Sequence, residues 1–176
     1  MKKFTKVLAV LLAVAVFATA FAACSKNGGT SSKVKVIDIA LSDEEYAFGV
    51  DKNQPELKQQ VNDFVAEIKS NGKLDEICNK YFADGTPEGI TSATQDPSKD
   101  QLVVATNAEF APFEYKQGDQ FFGIDMEIAN LLAQKLNKEL VIVDMAFDAV
   151  LLSVQQGKAD IGMAGLTAVS YTHLTL

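Results

Sequence analysis

The run ATNAEFAPFEY, residues 105–115, sets an amide, Asn107, beside three aromatic side chains, Phe110, Phe113 and Tyr115, in a segment broken by Pro112. Such a mixture suits noncovalent recognition of a small polar molecule, the amide giving hydrogen bonds and the rings apolar contact. Later residues add to it. Phe110 and Phe147 suit an apolar slot for a ligand side chain. Within AGLT, residues 164–167, the Ala164 carbonyl and the Thr167 hydroxyl offer hydrogen bonds, and Gly165 lets backbone amides come close to a ligand because it has no Cβ. Catalysis has poorer material. The acids Asp125, Glu127, Asp148 and Asp160 assemble no nucleophile-and-base pair. Asp125 is expected to cap a helix and Glu127 to favour its positive end, and residues two apart on a helix point different ways. No Ser–His–Asp set, phosphate loop or metal-ligand cluster is present. The reading is a binding protein and no enzyme, with no cofactor and no metal expected.

The elements that must position these residues follow a clear alternation. QLVVA is a short apolar run, as expected of a strand buried on both faces. GIDMEIANLLAQKLNK reads as a helix, with Ile128, Leu131, Leu132 and Leu136 on its stripe. ELVIVDM is a second buried strand, FDAVLLSVQQGK a second helix stopped by Gly157, and ADIGMAG a third strand. Strand, helix, strand, helix, strand predicts right-handed crossovers and a mostly parallel sheet flanked by helices, an α/β fold. Ligands in such sheets bind beyond the carboxyl ends of the strands. Asn107, Phe147 and the 164–167 run all follow strand ends, so they are expected at one edge.

Before this unit, residues 34–83 read as a strand in EYAFGV and a helix from Pro55 to about Gly72, with Leu57, Val61, Phe64 and Ile68 on one stripe. A second short helix carries Leu74, Ile77, Cys78, Tyr81 and Phe82. Cys78 reads as a small buried apolar residue. Residues 84–100 are polar and rich in Pro, Gly, Ser and Thr, the composition of a linker. The chain has 48% apolar residues, enough for a core, and a net charge of −7, which argues against nucleic acid as a partner.

Residues 1–23 have a basic start, an apolar run and small residues at the end, the pattern of a signal peptide. A membrane span needs about 20 apolar residues, slightly more than this run offers. FAAC resembles a bacterial lipobox, with Phe21 where Leu is commonest. It implies lipidation of Cys24, a membrane anchor, and a location on the outer face of the cytoplasmic membrane. Residues 24–33 then form a Gly/Ser-rich tether.

GIDMEIANLLAQKL resembles the signature of family 3 extracellular solute-binding proteins, the receptors of polar amino-acid ABC importers. ATNAEFAPFEYKQGD, FDAVLLSVQQGKADI and MAGLT resemble neighbouring blocks of that family, its glutamine-binding members most closely. The resemblance covers residues 101–167 and implies a periplasmic-binding-protein-type lobe, a free amino acid as ligand and an ABC permease as partner. It implies that Phe110 and Phe147 flank the ligand side chain, and that Ala164, Gly165 and Thr167 meet its ammonium and carboxylate. Asn107 stands where many relatives carry an aspartate. Residues 45–82 resemble the other end of the family, its closing strand and helices, so the order is permuted; either the two parts build one lobe or the first is a spare copy. The family continues after GLT with an arginine that grips the ligand carboxylate, but this chain has no arginine. The expectation is a truncated member with the second lobe absent and residues 168–176 a tail foreign to the family, in which His173 is a bystander. The alternative is a tethered single-lobe interaction module that contacts a permease or partner without taking up ligand.

Overall fold

The computed structural model describes residues 45–168. The signal peptide, the tether, Cys24, the start of the first module and residues 169–176 with His173 lie outside the described residues.

The main sheet has four strands: β1 (Gly49–Val50), β2 (Gln101–Thr106), β6 (Glu139–Asp144) and β7 (Ile161–Gly162), in the order β1-β7-β2-β6. Strand β2 runs parallel to β6 in full register from Gln101↔Glu139 to Thr106↔Asp144, and parallel to β7. Strand β1 closes the other edge, antiparallel to β7, with Gly49 opposite Gly162. The fold is therefore α/β with a mostly parallel sheet, as the alternation predicts. The central strand is apolar on both faces because helices cover both: Leu102 and Val104 face one core, Ala105 the other.

Among the described residues four helices surround the sheet: α1 (Pro55–Ser70), α2 (Lys73–Phe82), α3 (Ile124–Lys135) and α4 (Phe147–Gln155). Helix α1 starts on a proline and buries Val61, Phe64 and Ile68, three of the four residues of the expected stripe; Leu57 packs partly buried beside them. These side chains share one core with Ile77 of α2, with Met126, Ile128, Ala129 and Leu132 of α3, and with Leu102, Val104 and Ile161 of the sheet. Residues 45–83 and 101–168 thus bury their apolar faces against each other. Cys78 is a free, partly buried thiol, and burial raises its pKa.

Several elements depart from the sequence reading. EYAFGV yields only the two-residue β1, preceded by a single bridge from Tyr46 to Thr167. ADIGMAG yields only Ile161–Gly162, because the chain leaves the sheet to form the Ala164–Gly165 turn. A second, antiparallel sheet was not expected at all: β3 (Glu109–Phe110), β4 (Glu114–Gln117) and β5 (Gln120–Phe122). The polar 84–100 segment lies along the structure instead of hanging free. Ile90 bridges to Phe121, and Ser92 Oγ accepts the Ile142 N–H at 2.8 Å beside β6.

Asp125 is the clearest correction. It does not cap α3. The cap position belongs to Gly123, at φ 127° and ψ 163°, and Asp125 lies inside the first turn, 5% exposed. Glu127 is not simply a charge near a helix start either. It is 6% exposed and accepts hydrogen bonds from Tyr81 Oη at 2.8 Å and Lys80 Nζ at 2.7 Å. Nearly all of α3's first two turns are buried, so its acids answer to tertiary partners and not to the helix dipole. Burial opposes the charge on Lys80, but the Glu127 carboxylate outweighs it and the pKa rises.

Candidate ligand-binding mouth

Strands β2, β6 and β7 run the same way, so their carboxyl ends share one edge of the sheet. Asn107 follows β2, Phe147 opens α4 after β6, and Ala164–Thr167 follow β7. Hydrogen bonds stitch these ends together. Asn107 Nδ2 donates to the Met145 carbonyl at 3.0 Å, and Asp144 Oδ1 accepts the Ala108 N–H at 2.9 Å. The Asn107 amide is therefore oriented, with its carbonyl oxygen left outside that bond.

Phe110 is 49% exposed, and its ring lies over Gly165: a Cβ on that glycine would sit 2.9 Å from the ring. Gly165 also has φ +55°, a left-handed conformation that side chains resist. Phe110 stacks on Phe113, centroids 5.5 Å apart, and Phe113 meets Tyr46 at 4.5 Å. Phe147, 52% exposed, stands apart on the first turn of α4. Ala164 is 1% exposed. Thr167 lies opposite Tyr46 in a pair whose hydrogen bonds run through its neighbours: Ala47 N–H donates to the Leu166 carbonyl and Ala168 N–H to the Glu45 carbonyl, both at 2.8 Å. That pairing leaves the Thr167 N–H and hydroxyl outside the ladder.

One expectation changes in detail. The Gly165 N–H is not open to a ligand: it donates to Asp125 Oδ2 at 2.9 Å. Asp125 in turn adjoins Glu114 of β4, which is 1% exposed and which the sequence reading passed over. Among the described residues no donor meets either Glu114 oxygen, and its hydrogen-bonding neighbour is the Asp125 carboxyl. Two carboxyls can bond only by sharing a proton. Burial first, then the Asp125 charge, pushes the Glu114 pKa up to about 9. Burial also raises Asp125, to about 6, against the stabilising Gly165 N–H and Glu114. The alternation of EYKQ gave no warning, since a glutamate in a short strand normally faces water.

Both folded-state values exceed the ordinary ones, so folding holds these protons more tightly than the unfolded chain does. Their contribution is complete below the unfolded values of about 4. It is lost as pH rises through about 6 and about 9. The melting temperature of the chain is expected to fall steadily from about pH 6 to about pH 9, and Glu114→Gln is expected to flatten the alkaline part of that slope. Scanning calorimetry across this range checks it; a flat wild-type profile would contradict the shared proton.

Among the described residues no group of three or more His, Cys, Asp or Glu is placed to hold a metal ion, and no helix is long and apolar enough to cross a membrane. What the edge presents is two exposed rings, an oriented amide, a hydroxyl and a sharply turned loop.

The family model for bacterial extracellular solute-binding proteins, family 3, matches residues 4–84 and 102–170. The chain belongs to this family. Among curated relatives of this family 3 protein, the arginine-binding extracellular protein ArtP of Bacillus subtilis is 33% identical over 79 residues, 45% of this chain and 31% of that protein. The arginine-binding protein ArgT of Corynebacterium glutamicum is 30% identical over 97 residues, 47% of this chain and 32% of that one. The chain spans about a third of the length of the curated relatives it matches. Among solved structures, the amino acid ABC transporter substrate-binding protein AbpA from Streptococcus pneumoniae, bound to L-arginine, is 46% identical. The match covers 41% of this chain and 32% of that one, with a TM-score of 0.39. The family consists of solute-binding proteins, which accords with the reading of a binding protein, and it is described as extracellular.

Proposed function

We propose that this chain carries the ligand-binding face of the receptor component of an ABC-type amino-acid importer. The mouth at the carboxyl ends of β2, β6 and β7 takes a polar amino acid, and Asn107, Phe110, Phe147, Ala164, Gly165 and Thr167 form it. The observation that carries this reading is the convergence itself: the segments that follow three separate strands meet at one edge, held by the Asn107–Met145 and Gly165–Asp125 hydrogen bonds. Phe110 and Phe147 contact the ligand side chain, and the Thr167 N–H and hydroxyl meet its carboxylate. Gly165 serves by its conformation, its own N–H being engaged.

Glutamine fits an oriented asparagine, but a cationic side chain fits better. Glu109, Asp144 and Asp148 stand exposed around the mouth and favour positive charge. The named relatives are arginine-binding proteins, which supports the same choice. The receptor would work outside the cytoplasmic membrane, held there by a lipid on Cys24, and deliver its ligand to a permease.

The affinity is expected to be low. No arginine is available to hold the carboxylate, and the rings stand half in water. Arginine is expected to bind in the range of about 1 mM, near −4 kcal/mol. Glutamine should bind more weakly and glutamate not measurably. Calorimetric titration of the purified chain checks this, with Phe110→Ala as a variant expected to weaken arginine by about tenfold. Failure of all three amino acids to saturate would sink the receptor reading and favour a docking module, for which the half-exposed Phe147, Leu151 and Leu152 of α4 supply an apolar face.

A further inference from the structure

The turn at Ala164–Thr167 is held on two sides. At the sheet edge, Leu166 and Ala168 pair with residues 45–47. From behind, Asp125 Oδ2 receives the Gly165 N–H at 2.9 Å. Gly165 sits at φ +55°, from which a peptide flip costs little once that hydrogen bond is gone. The orientation of the turn therefore depends on where the Asp125 carboxyl points. Its neighbour Glu114 is 1% exposed, both its oxygens lack any donor from the rest of the described protein, and Oε1 lies 3.6 Å from where a Cβ on Gly165 would be. An ionised Glu114 there would be an uncompensated buried charge beside a second carboxylate.

We propose that Glu114 is a positioning residue for the mouth: it retains its proton, shares it with Asp125, and thereby fixes the Asp125 oxygen that holds the Gly165 turn. The mouth's role as a ligand site is the reading given above, and this assignment rests on it only for its purpose. The mechanics concern the turn alone. A neutral donor and a charged acceptor form a stronger bond than two neutral groups, so Asp125 is held firmly while Glu114 stays protonated. When Glu114 ionises, the two carboxylates repel and the grip on Gly165 loosens.

Among the described residues other ionisable groups approach from every packed element, and the lysines among them hydrogen-bond elsewhere or not to the pair. Lys69 of α1 lines the same groove as Asp125 without hydrogen bonding to it. Lys80 and Tyr81 of α2 are committed to Glu127 of α3. Tyr46, before β1, lies against Phe113, and Tyr115 of β4 stacks on Phe122 of β5. Glu45 enters only through its carbonyl. No described lysine or histidine hydrogen-bonds either carboxyl, so the shared proton has no rival.

Nuclear magnetic resonance of the isotope-labelled full chain, followed at the Gly165 amide, tests this. In the wild type that amide is expected to shift with an alkaline midpoint near about 9. In Glu114→Gln, whose amide still donates to Asp125, it should keep its neutral-pH position and lose the alkaline transition. In Glu114→Ala its exchange with solvent at neutral pH should quicken by about tenfold or more, the loss of one charge-assisted hydrogen bond. An alkaline transition that survives in Glu114→Gln overturns the proposal, as does unchanged exchange in Glu114→Ala. Should Glu114→Ala fail to fold, the wild-type and Glu114→Gln titrations decide alone. No ligand enters these measurements, so failure of arginine to bind would leave them untouched.

Discussion

Gly123→Ala is expected to cost the chain roughly 3 kcal/mol or more. Two causes add. A Cβ at that position would lie 2.1 Å from the Phe113 carbonyl oxygen, which is backbone and cannot swing aside. The backbone itself, at φ 127° and ψ 163°, occupies a region essentially reserved for glycine, and a side chain there costs about 1–3 kcal/mol before any clash. Gly123 also sits at a junction: its N–H donates to Tyr81 Oη at 3.0 Å, and its carbonyl accepts the Glu127 N–H. Moving it disturbs β4, the start of α3 and the contact with α2 together. Thermal melting should show a drop of roughly 10 °C. A drop under about 2 °C would show that the 113–123 region yields easily, and would weaken the case for a rigid mouth above it.

The second large effect is expected at Glu127. Its side chain is 7% exposed and it binds Lys80, 18% exposed, and Tyr81 at once. Glu127→Ala leaves a part-buried lysine and a phenol without their acceptor. Loss of one partner of a fully buried pair costs about 3–5 kcal/mol. Lys80 retains some water and Glu88 at 3.5 Å, so about 2–3 kcal/mol is expected here. Glu127→Gln keeps an oxygen for Tyr81 and should lose roughly half as much. The control is Glu67, which pairs with Lys135 at 2.6 Å, but with exposures of 48% and 52%. Glu67→Ala should cost no more than about 0.5 kcal/mol, because an exposed pair is screened by solvent. Denaturant melts of the three variants settle the ranking. Equal losses at Glu67 and Glu127 would mean that burial does not govern these contacts.

Both predictions concern residues whose importance local sequence hid. The parallel core was legible because strand and helix differ in period. Buried runs such as QLVVA and ELVIVD, separated by helical stripes, leave few topologies, and the carboxyl-end rule then gathers Asn107, Phe147 and Gly165 at one edge. The small antiparallel sheet was not legible. Its strands have two to four residues, several of them charged, and only their mutual pairing and the bridge to Ile90 define them. The acids of α3 misled for a different reason. Asp125 and Glu127 have a sufficient local explanation at a helix start, so nothing in the segment demands a tertiary one. Their true partners, Gly165, Glu114, Lys80 and Tyr81, come from three other parts of the chain. Asn107 shows a milder version: its type announced recognition, but half its amide is spent on Met145.

The edge strand β1 has a consequence for how the molecule is made. Gly49 pairs with Gly162, and Tyr46 bridges to Thr167, so the sheet's border joins stretches from nearly opposite ends of the described chain. In a chain that emerges amino terminus first, α1 and α2 would appear early with Val61, Phe64 and Ile77 uncovered, and would wait for α3 before those side chains find a core. The border strand would wait longer still, until residues 161–167 had emerged. Such distant pairing raises contact order, so closure of this edge should be the last and slowest step of folding and the interval in which the nascent chain most needs a chaperone.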